Sequence, residues 1–494
     1  MPELEGIRTE AESLVRELDW EVYQNWAGLK EDLDTAAIYR KHAGLFSPEV
    51  LHQIRTLRRA ESDEEDLRRF TFLEGLLLST FLENQVRDLS DRHATEEARR
   101  EIVVNGTTLP FRMSAVKLSN EADRTLRQKI FQARNQAIEE MNAILVARWE
   151  RLHTLARDLG YKDYQHLFSE IKGIDFAHLE GMMSVFLDRT EGLYRSHMEP
   201  RLRSMGLHLP EAEKHDVALL FRGKAWDALF PKEQTVAVLR STLLDLGFDL
   251  EKQTNIELDT TERPTKSPRA FCVPESVPDH VLLVTMPHGG HDDYATILHE
   301  AGHAEHFANV DRDLPFEYKY LGDNSVTEGM AFCLEYITLS PVWLKEKVGM
   351  SDPGEFLRFV YAYKLYFLRR YAGKLRYEML LHSRGLNGMG SIYKRELERV
   401  LTFQHPESHY LVDLDDGFYA AQYLRAWILE AQLSQYLQET YGDAWFKRNE
   451  AGVFLQDLWS QGQKFRAEEL AVELGYSGLD INPLLDQIQW HLSP

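Results

Sequence analysis

The stretch YATILHEAGHAEHF, residues 294–307, concentrates histidines and glutamates in a pattern that can bind a metal. His299 and His303 are four residues apart, so on a helix both imidazoles project from one face and can hold one cation. Glu300 is rotated by about 100° from His299 and can reach a water on that cation as a general base. Apolar residues surround the segment almost completely, which favours a buried helix over a solvated, histidine-rich surface. The spacing therefore predicts a catalytic metal centre.

A third ligand is expected from a second helix, because a catalytic zinc of this kind takes three protein ligands. The segment NSVTEGMAFCLEY, residues 324–336, carries Glu328 and Glu335 seven residues apart on one helical face. We predict Glu328 as the third ligand and Glu335 as an acceptor that orients a ligating histidine. An ordinary salt-bridged role for Glu335 stays open. One Zn²⁺ per chain is the first choice, since imidazole and carboxylate ligands with an open fourth position suit zinc.

The elements next to this segment must position it. DHVLLVTMP, residues 279–287, reads as a strand, and the loop HGGHDD follows it, with Asp292 or Asp293 expected to cap a helix that starts near Tyr294. The loop has two interpretations: a tight strand-to-helix turn, which we favour, or a second metal site at its two histidines. The third histidine of the helix, His306, is expected near the site or at the surface.

Elsewhere the apolar residues recur at helical spacing, which predicts a mainly α protein with a small β-sheet beside the metal helix. Asn105-Gly106 predicts a short hairpin, and Gly160 is expected to end a long helix. The stretch DTTERPTKSP, residues 259–268, marks a composition shift. We therefore expect a helical N-terminal lobe over residues 1–258 and a catalytic lobe over residues 259–494, with the two lobes interleaved.

Composition excludes several classes of partner. The net charge of −22 would repel nucleic acid and anionic membranes, and no apolar run long enough to cross a bilayer is visible. Two cysteines, Cys272 and Cys333, do not form a disulfide framework. The N-terminus lacks the basic start and apolar core of a signal peptide. A cytoplasmic protein is expected; the oligomeric state is left open.

The chain resembles the thimet oligopeptidase and oligoendopeptidase F family of zinc metallopeptidases in three features. These are the segment HEAGHAEH, the 24 residues between His303 and Glu328, and Glu335 seven residues after Glu328. KSPRAFCVP followed by DHVLLVTM is similar to the segment that this family places before its metal helix. The resemblance is strongest over residues 266–336. It implies a large two-lobed helical fold with a deep central cleft that admits short peptides.

A later segment, HYLVDLDDGFYAAQYLRAW at residues 409–427, resembles the part of the family that supplies donors to the oxyanion formed in peptide hydrolysis. The resemblance implies His409 as an electrophilic group and Tyr419 and Tyr423, one helical turn apart, as hydroxyl donors. The YYGY form of that family is missing. An aromatic pair on one helical face is also typical of a core, so both interpretations stay open for the tyrosines.

The expected activity is hydrolysis of internal peptide bonds in short oligopeptides, a cytoplasmic protease reaction with Glu300 as the base. We expect the substrate backbone to pair with the strand HVLLVTM. Two alternatives stay open: a zinc carboxypeptidase or dipeptidyl carboxypeptidase of related fold, and a catalytically silent peptide-binding protein.

Overall fold

Helices dominate the chain, which confirms the mainly α prediction. The computed structural model describes residues 3–493, and 71% of the chain is helical, with two small sheets in the described part. The helices are α1 Leu4–Trp26, α2 Thr35–Lys41, α3 Pro48–Ala60, α4 Glu64–Arg99, α5 Phe111–Asn120, α6 Arg124–Asp158, α7 Tyr164–Lys172, α8 Phe176–Ser204, α9 Lys214–Leu220, α10 Thr235–Asp245, α11 His291–Ala308, α12 Phe316–Tyr320, α13 Asn324–Glu335, α14 Pro341–Val348, α15 Gly354–Arg384, α16 Met389–Leu401, α17 Tyr419–Tyr441, α18 Asn449–Ser460, α19 Ala467–Glu473 and α20 Asn482–Leu492. The strands are β1 Glu101–Val104, β2 Thr107–Pro110, β3 Ile256–Asp259, β4 Phe271–Ser276 and β5 His280–Val284.

The chain divides into two compact units, each built from several stretches. The first unit comprises Met1–Thr80, Lys224–Leu357 and Arg425–Leu484, and the second comprises Phe81–Gly223, Arg358–Leu424 and Leu485–Pro494. The lobe boundary predicted between residues 258 and 259 does not coincide with a boundary between the two units, because residues 259–268 lie inside the first unit. The reason is local: buried Lys266 donates to Asp259 at 3.1 Å, and Ser267 donates to the Trp26 carbonyl at 2.7 Å. This stretch is therefore anchored within its unit.

The larger sheet of the first unit has the order β3-β5-β4, with β3 parallel and β4 antiparallel to the central β5. Alternate residues of a strand face opposite sides. Phe271 and Val273 of β4, with Leu282 and Val284 of β5, pack against Tyr23 of α1 and against Ala27, which directly follows this helix. The intervening residues face the other side of the sheet, and α11 contacts both β4 and β5. The sheet thus lies between α1 and α11.

The predicted hairpin belongs to the second unit and is confirmed. β1 and β2 pair antiparallel around Asn105 and Gly106, whose φ angles of 51° and 80° are those of a type I′ turn. Gly160, with φ 90°, follows the end of α6 as predicted. Ile102, Phe111, Phe131 and Ile138 are among the buried residues of one hydrophobic cluster that joins the hairpin to α5 and α6.

Within residues 3–493, no helix is both long enough and apolar enough to span a membrane. Cys272 and Cys333 are both free thiols. Burial raises the pKa of each thiol well above its usual value.

A buried histidine pair in the second unit makes stability depend on pH. His153 Nε2 lies 2.9 Å from His382 Nδ1, and burial lowers the pKa of His153 to about 4 and that of His382 well below its usual value. The unfolded chain takes up protons near pH 6.5, whereas the folded pair resists protonation, so the stability is present above pH 6.5 and is lost as pH falls toward 4. For His153 alone, we expect a loss of about 2 kcal/mol between pH 7.5 and 5.

Urea unfolding of wild type and His153→Gln at both pH values measures this effect. Other titrating groups are common to the two proteins, so the difference between their pH dependences isolates His153. Equal pH dependences would contradict the assignment.

Candidate metal centre

Two helices of the first unit, α11 and α13, carry the predicted ligands and pack at very short distance. A Cβ atom placed on Gly302 would lie 2.6 Å from the Ala331 Cα and 2.9 Å from the Met330 carbonyl oxygen. Only glycine permits this separation of the two backbones. Because Gly302 lies next to His303, the contact brings Glu328 of α13 within reach of both histidines of α11.

Replacing Gly302 by Ala is therefore expected to destabilise the protein by about 1–3 kcal/mol, since the added methyl group overpacks a helix contact. Urea unfolding measures the loss, and zinc titration should show weaker metal binding because α13 is displaced. Gly6→Ala is the control, since a Cβ there meets nothing within 4 Å. A Gly302→Ala protein as stable as Gly6→Ala would show that the contact is unimportant.

His299, His303 and Glu328 form a compact group, called the ligand triad below. One potential ligand atom from each lies within 4.8 Å of the other two, so the triad could hold a metal ion. His299 Nε2 is 3.3 Å and His303 Nε2 is 3.9 Å from the same Glu328 oxygen, Oε2. Two imidazoles and one carboxylate converging on a point are a suitable donor set for a transition metal. Within residues 3–493 no other group of three or more such ligand atoms is found.

Nδ1 of each histidine contacts a side chain of α13, and Nε2 of each ring points toward Glu328. Glu335 Oε2 lies 2.8 Å from His299 Nδ1, and Thr327 Oγ1 lies 2.8 Å from His303 Nδ1. Such partners fix the ring orientation and the tautomer of a ligating histidine. The Phe332 ring packs edge-on to His299, with ring centroids 5.0 Å apart. Residues Gly329 to Leu334 are all buried, so α13 is a rigid support.

Thr327 and Gly302 are site residues that the sequence reasoning did not identify. The position of Thr327 directly before Glu328 was the only sequence feature that could have pointed to it. Its hydrogen-bond partner, His303, is 24 residues away in sequence. Gly302 lies between the two histidines of the triad, and the sequence alone does not show that the approach of α13 requires glycine there. Both roles come from the packing of two helices.

The carboxylates around the triad favour a positive charge there. Burial lowers the pKa of His299, but hydrogen bonds and charge interactions with Glu328 and Glu335 outweigh it and raise this pKa to about 10. Burial lowers the pKa of His303 to about 3, so this ring stays neutral and can donate a lone pair. The two carboxylates thus stabilise one cationic charge at the triad.

Glu300 has the environment of a proton acceptor. Burial raises the pKa of its carboxyl to about 7, and Glu328 adds to this rise. His299 and a hydrogen bond from the backbone N–H of Cys272 act in the opposite direction. A carboxylate with a pKa near neutrality is suited to take up and release a proton.

The remaining polar residues of α11 have other roles. His306 is completely buried, with Nε2 3.1 Å from the Gly462 carbonyl, and Glu305 accepts from Gln253 at 2.7 Å. The surface position considered for His306 is therefore wrong. The helix begins at His291, three residues earlier than expected. Asp293 accepts hydrogen bonds from the backbone N–H groups of His288 and Gly289 and thereby orders the preceding loop.

Glu335→Gln is expected to weaken zinc binding by about 10–100-fold, because the neutral amide supports His299 less well than a carboxylate does. Competition with a chromogenic chelator measures the affinity. Glu346→Gln, an exposed carboxylate variant in the same unit, is the control and should bind zinc like wild type. An unchanged affinity in Glu335→Gln would assign Glu335 to an ordinary ion pair.

The other predicted site residues, His409, Tyr419 and Tyr423, belong to the second unit. Both ring nitrogens of His409 have partners there: Lys214 Nζ donates to Nδ1 at 3.1 Å, and Nε2 donates to Asn135 Oδ1 at 2.9 Å. Tyr419 and Tyr423 lie one turn apart on α17, with ring centroids 4.9 Å apart. The donor roles of these three residues stay predictions.

The expected pairing of substrate with HVLLVTM is wrong for that strand. β5 is the central strand, and both of its edges already form backbone hydrogen bonds, one with β3 and the other with β4. β4 is an edge strand, and it carries Cys272, whose backbone N–H interacts with Glu300. Pro274 within β4 fits an edge position, because proline cannot donate to a ladder.

No model of a known protein family matches the chain, and no curated protein matches it either. The resemblance to the oligopeptidase family therefore rests on sequence motifs alone: the HEAGH motif with Glu328 and Glu335, the segment that precedes it, and the later segment 409–427.

Proposed function

We propose that the chain is a zinc metallopeptidase that hydrolyses internal bonds of short peptides. The observation that carries this proposal is the ligand triad with Glu300 on the same helix, since a His₂Glu donor set beside a half-buried carboxylate is suited to hydrolysis. The motif resemblance supports the same class. The acidic chain, with a net charge of −22, fits peptide substrates better than nucleic acids.

His299, His303 and Glu328 would hold the zinc ion, with Glu335 and Thr327 orienting the two rings. When bound, zinc supplies a Lewis acid that polarises a carbonyl and activates a water. The Glu300 carboxylate takes the proton from the attacking water and then delivers it to the leaving amine nitrogen. Tyr419, Tyr423 and His409 are the candidate donors to the developing oxyanion.

The free edge of β4 is the proposed platform for the peptide backbone. An extended peptide that adds to a sheet edge is held by main-chain hydrogen bonds, so its binding tolerates many sequences. Cys272 connects this edge to Glu300. A peptide on β4 would therefore run beside the proposed base.

Metal analysis of the purified protein, followed by cleavage of a library of quenched fluorescent peptides, tests the function. Internal cuts with about one zinc per chain support an endopeptidase. Stepwise loss of one or two C-terminal residues in the product masses would support the carboxypeptidase alternatives. Stoichiometric zinc without any cleavage would favour the silent peptide-binding protein.

A further inference from the structure

The second unit contains an open cavity of about 470 Å³, whose lining includes His409 but no member of the ligand triad. Its volume lies in the range of small-molecule sites. About half of its wall is apolar, and this half includes Ile138, Met141, Leu145, Trp149, Leu411 and Leu414. Arg134 and Lys214 add two cationic groups to the same cavity.

Neither cation forms an ion pair within the described chain. Arg134 uses Nη1 for hydrogen bonds to the Phe111 carbonyl and Ser114 Oγ, and its guanidinium stacks 4.1 Å from the Phe111 ring centroid. Lys214 Nζ donates one hydrogen bond, to His409. Several N–H donors of Arg134 and Lys214 are therefore available to a ligand in the cavity.

The other charged groups of the lining are already neutralised. Arg148 forms a bidentate pair with Asp416 at 2.9 and 2.7 Å, and Glu97 pairs with Arg112 at 3.3 Å. Burial lowers the pKa of His93 and of His409, which leaves both rings neutral near pH 7. The uncompensated charge of the cavity is thus positive and comes from Arg134 and Lys214.

The groups behind Lys214 preserve this excess of positive charge. Burial, together with the neighbouring Arg370, Lys374 and Arg134, lowers the pKa of Lys214 to about 8, whereas Asp413 acts in the opposite direction. Asp413 is itself bound by Arg370 and by the Tyr393 hydroxyl. Arg134 and Lys214 are half-buried and have no ion-pair partner in the described part of the chain, so an anion in the cavity would stabilise their positive charge.

We propose that this cavity binds a small organic carboxylate with an apolar tail, with Arg134 and Lys214 on the carboxylate and the wall around Leu145 and Trp149 on the tail. Two sources share this chemistry: a fatty acid, and the C-terminal carboxylate of an apolar amino acid or short peptide. The inference stands independently of the metal centre, because all of its residues belong to the second unit.

Isothermal titration calorimetry of the full-length protein with octanoate, N-acetyl-leucine, octanol and inorganic phosphate tests the proposal. Octanoate or N-acetyl-leucine should bind at least about tenfold more tightly than octanol, since a charge-assisted hydrogen bond contributes that much. Tighter binding of octanoate identifies a fatty-acid site, and tighter binding of N-acetyl-leucine identifies an amino-acid or peptide site. Octanol binding as tightly as both carboxylates, or phosphate binding more tightly than both, would overturn the proposal.

Arg134→Gln and Lys214→Gln should each weaken carboxylate binding by about tenfold while octanol binding stays unchanged. Arg151→Gln, on the exposed side of α6, is the matched control and should bind like wild type. Circular dichroism establishes that each variant is folded, and Lys214→Gln serves as the test if Arg134→Gln is not. Unchanged carboxylate binding in the folded variants would overturn the assignment of these two cations.

Discussion

Glu300→Gln is expected to lower kcat for peptide hydrolysis by about 10²–10⁴-fold, because the amide cannot accept the proton of the attacking water. The substitution preserves size and removes the charge. Zinc content should stay near that of wild type, since Glu300 is outside the ligand triad. Initial rates with a quenched fluorescent peptide, together with metal analysis of the same samples, measure both quantities.

Glu305→Gln is the matched control for this variant. Glu305 lies on the same helix, is completely buried, and has a pKa that burial raises to about 7. Its carboxylate accepts hydrogen bonds from Gln253 and Asn309, which the oxygen of a glutamine can also accept. Glu305→Gln should therefore retain nearly full activity. Full activity in Glu300→Gln would refute the general-base assignment.

Glu328→Gln is expected to have the largest effect on metal content. It removes the anionic member of the triad, and zinc affinity should fall by more than about 100-fold, beyond the cost of changing a supporting residue. Hydrolysis should fall with the zinc occupancy. Chelator competition measures the affinity, and excess zinc in the assay should restore only part of the rate.

Two comparisons make the Glu328 result specific. Glu335→Gln should lose less affinity than Glu328→Gln, because Glu335 acts through His299. Glu346→Gln should match wild type in both zinc content and rate. Stoichiometric zinc in Glu328→Gln, measured at limiting metal, would show that the third ligand is another group.

Removing bound zinc with a chelator should also lower stability, since a metal that binds the folded state stabilises it by mass action. In the metal-free protein, the His299 ring lies between Glu328 and Glu335, and its protonated form supplies part of the missing positive charge. The triad is therefore expected to keep its folded arrangement without metal.

Short-range sequence patterns predicted several features of this molecule because the geometry of a helix or a turn is local. The spacing of His299 and His303 requires one helical face, and Asn105-Gly106 requires a tight turn. The helical period over most of the chain predicted the mainly α class. Composition alone indicated the absence of a disulfide framework, and both thiols are free.

Contacts between distant segments were decided by the tertiary structure. The sequence placed Glu328 on a second helix, but the close approach at Gly302 decides that its carboxylate meets both histidines. The partner of His303 is Thr327, which no periodicity indicates. The order of the sheet makes β3 and β4 the edge strands, whereas the apolar strand β5 is central.

The domain organisation and the surroundings of the C-terminal candidate residues also depend on contacts between distant segments. Residues 259–268 have the composition of a linker, yet Lys266 and Ser267 tie them to their own unit. His409 was singled out for its segment, and the structure surrounds it with Lys214 and Asn135. The sequence by itself determined the chemical types of the ligands and their placement along each helix. Only the packing of α11 against α13 decided that three side chains meet within 4.8 Å, because that distance depends on backbone separation and not on helical period.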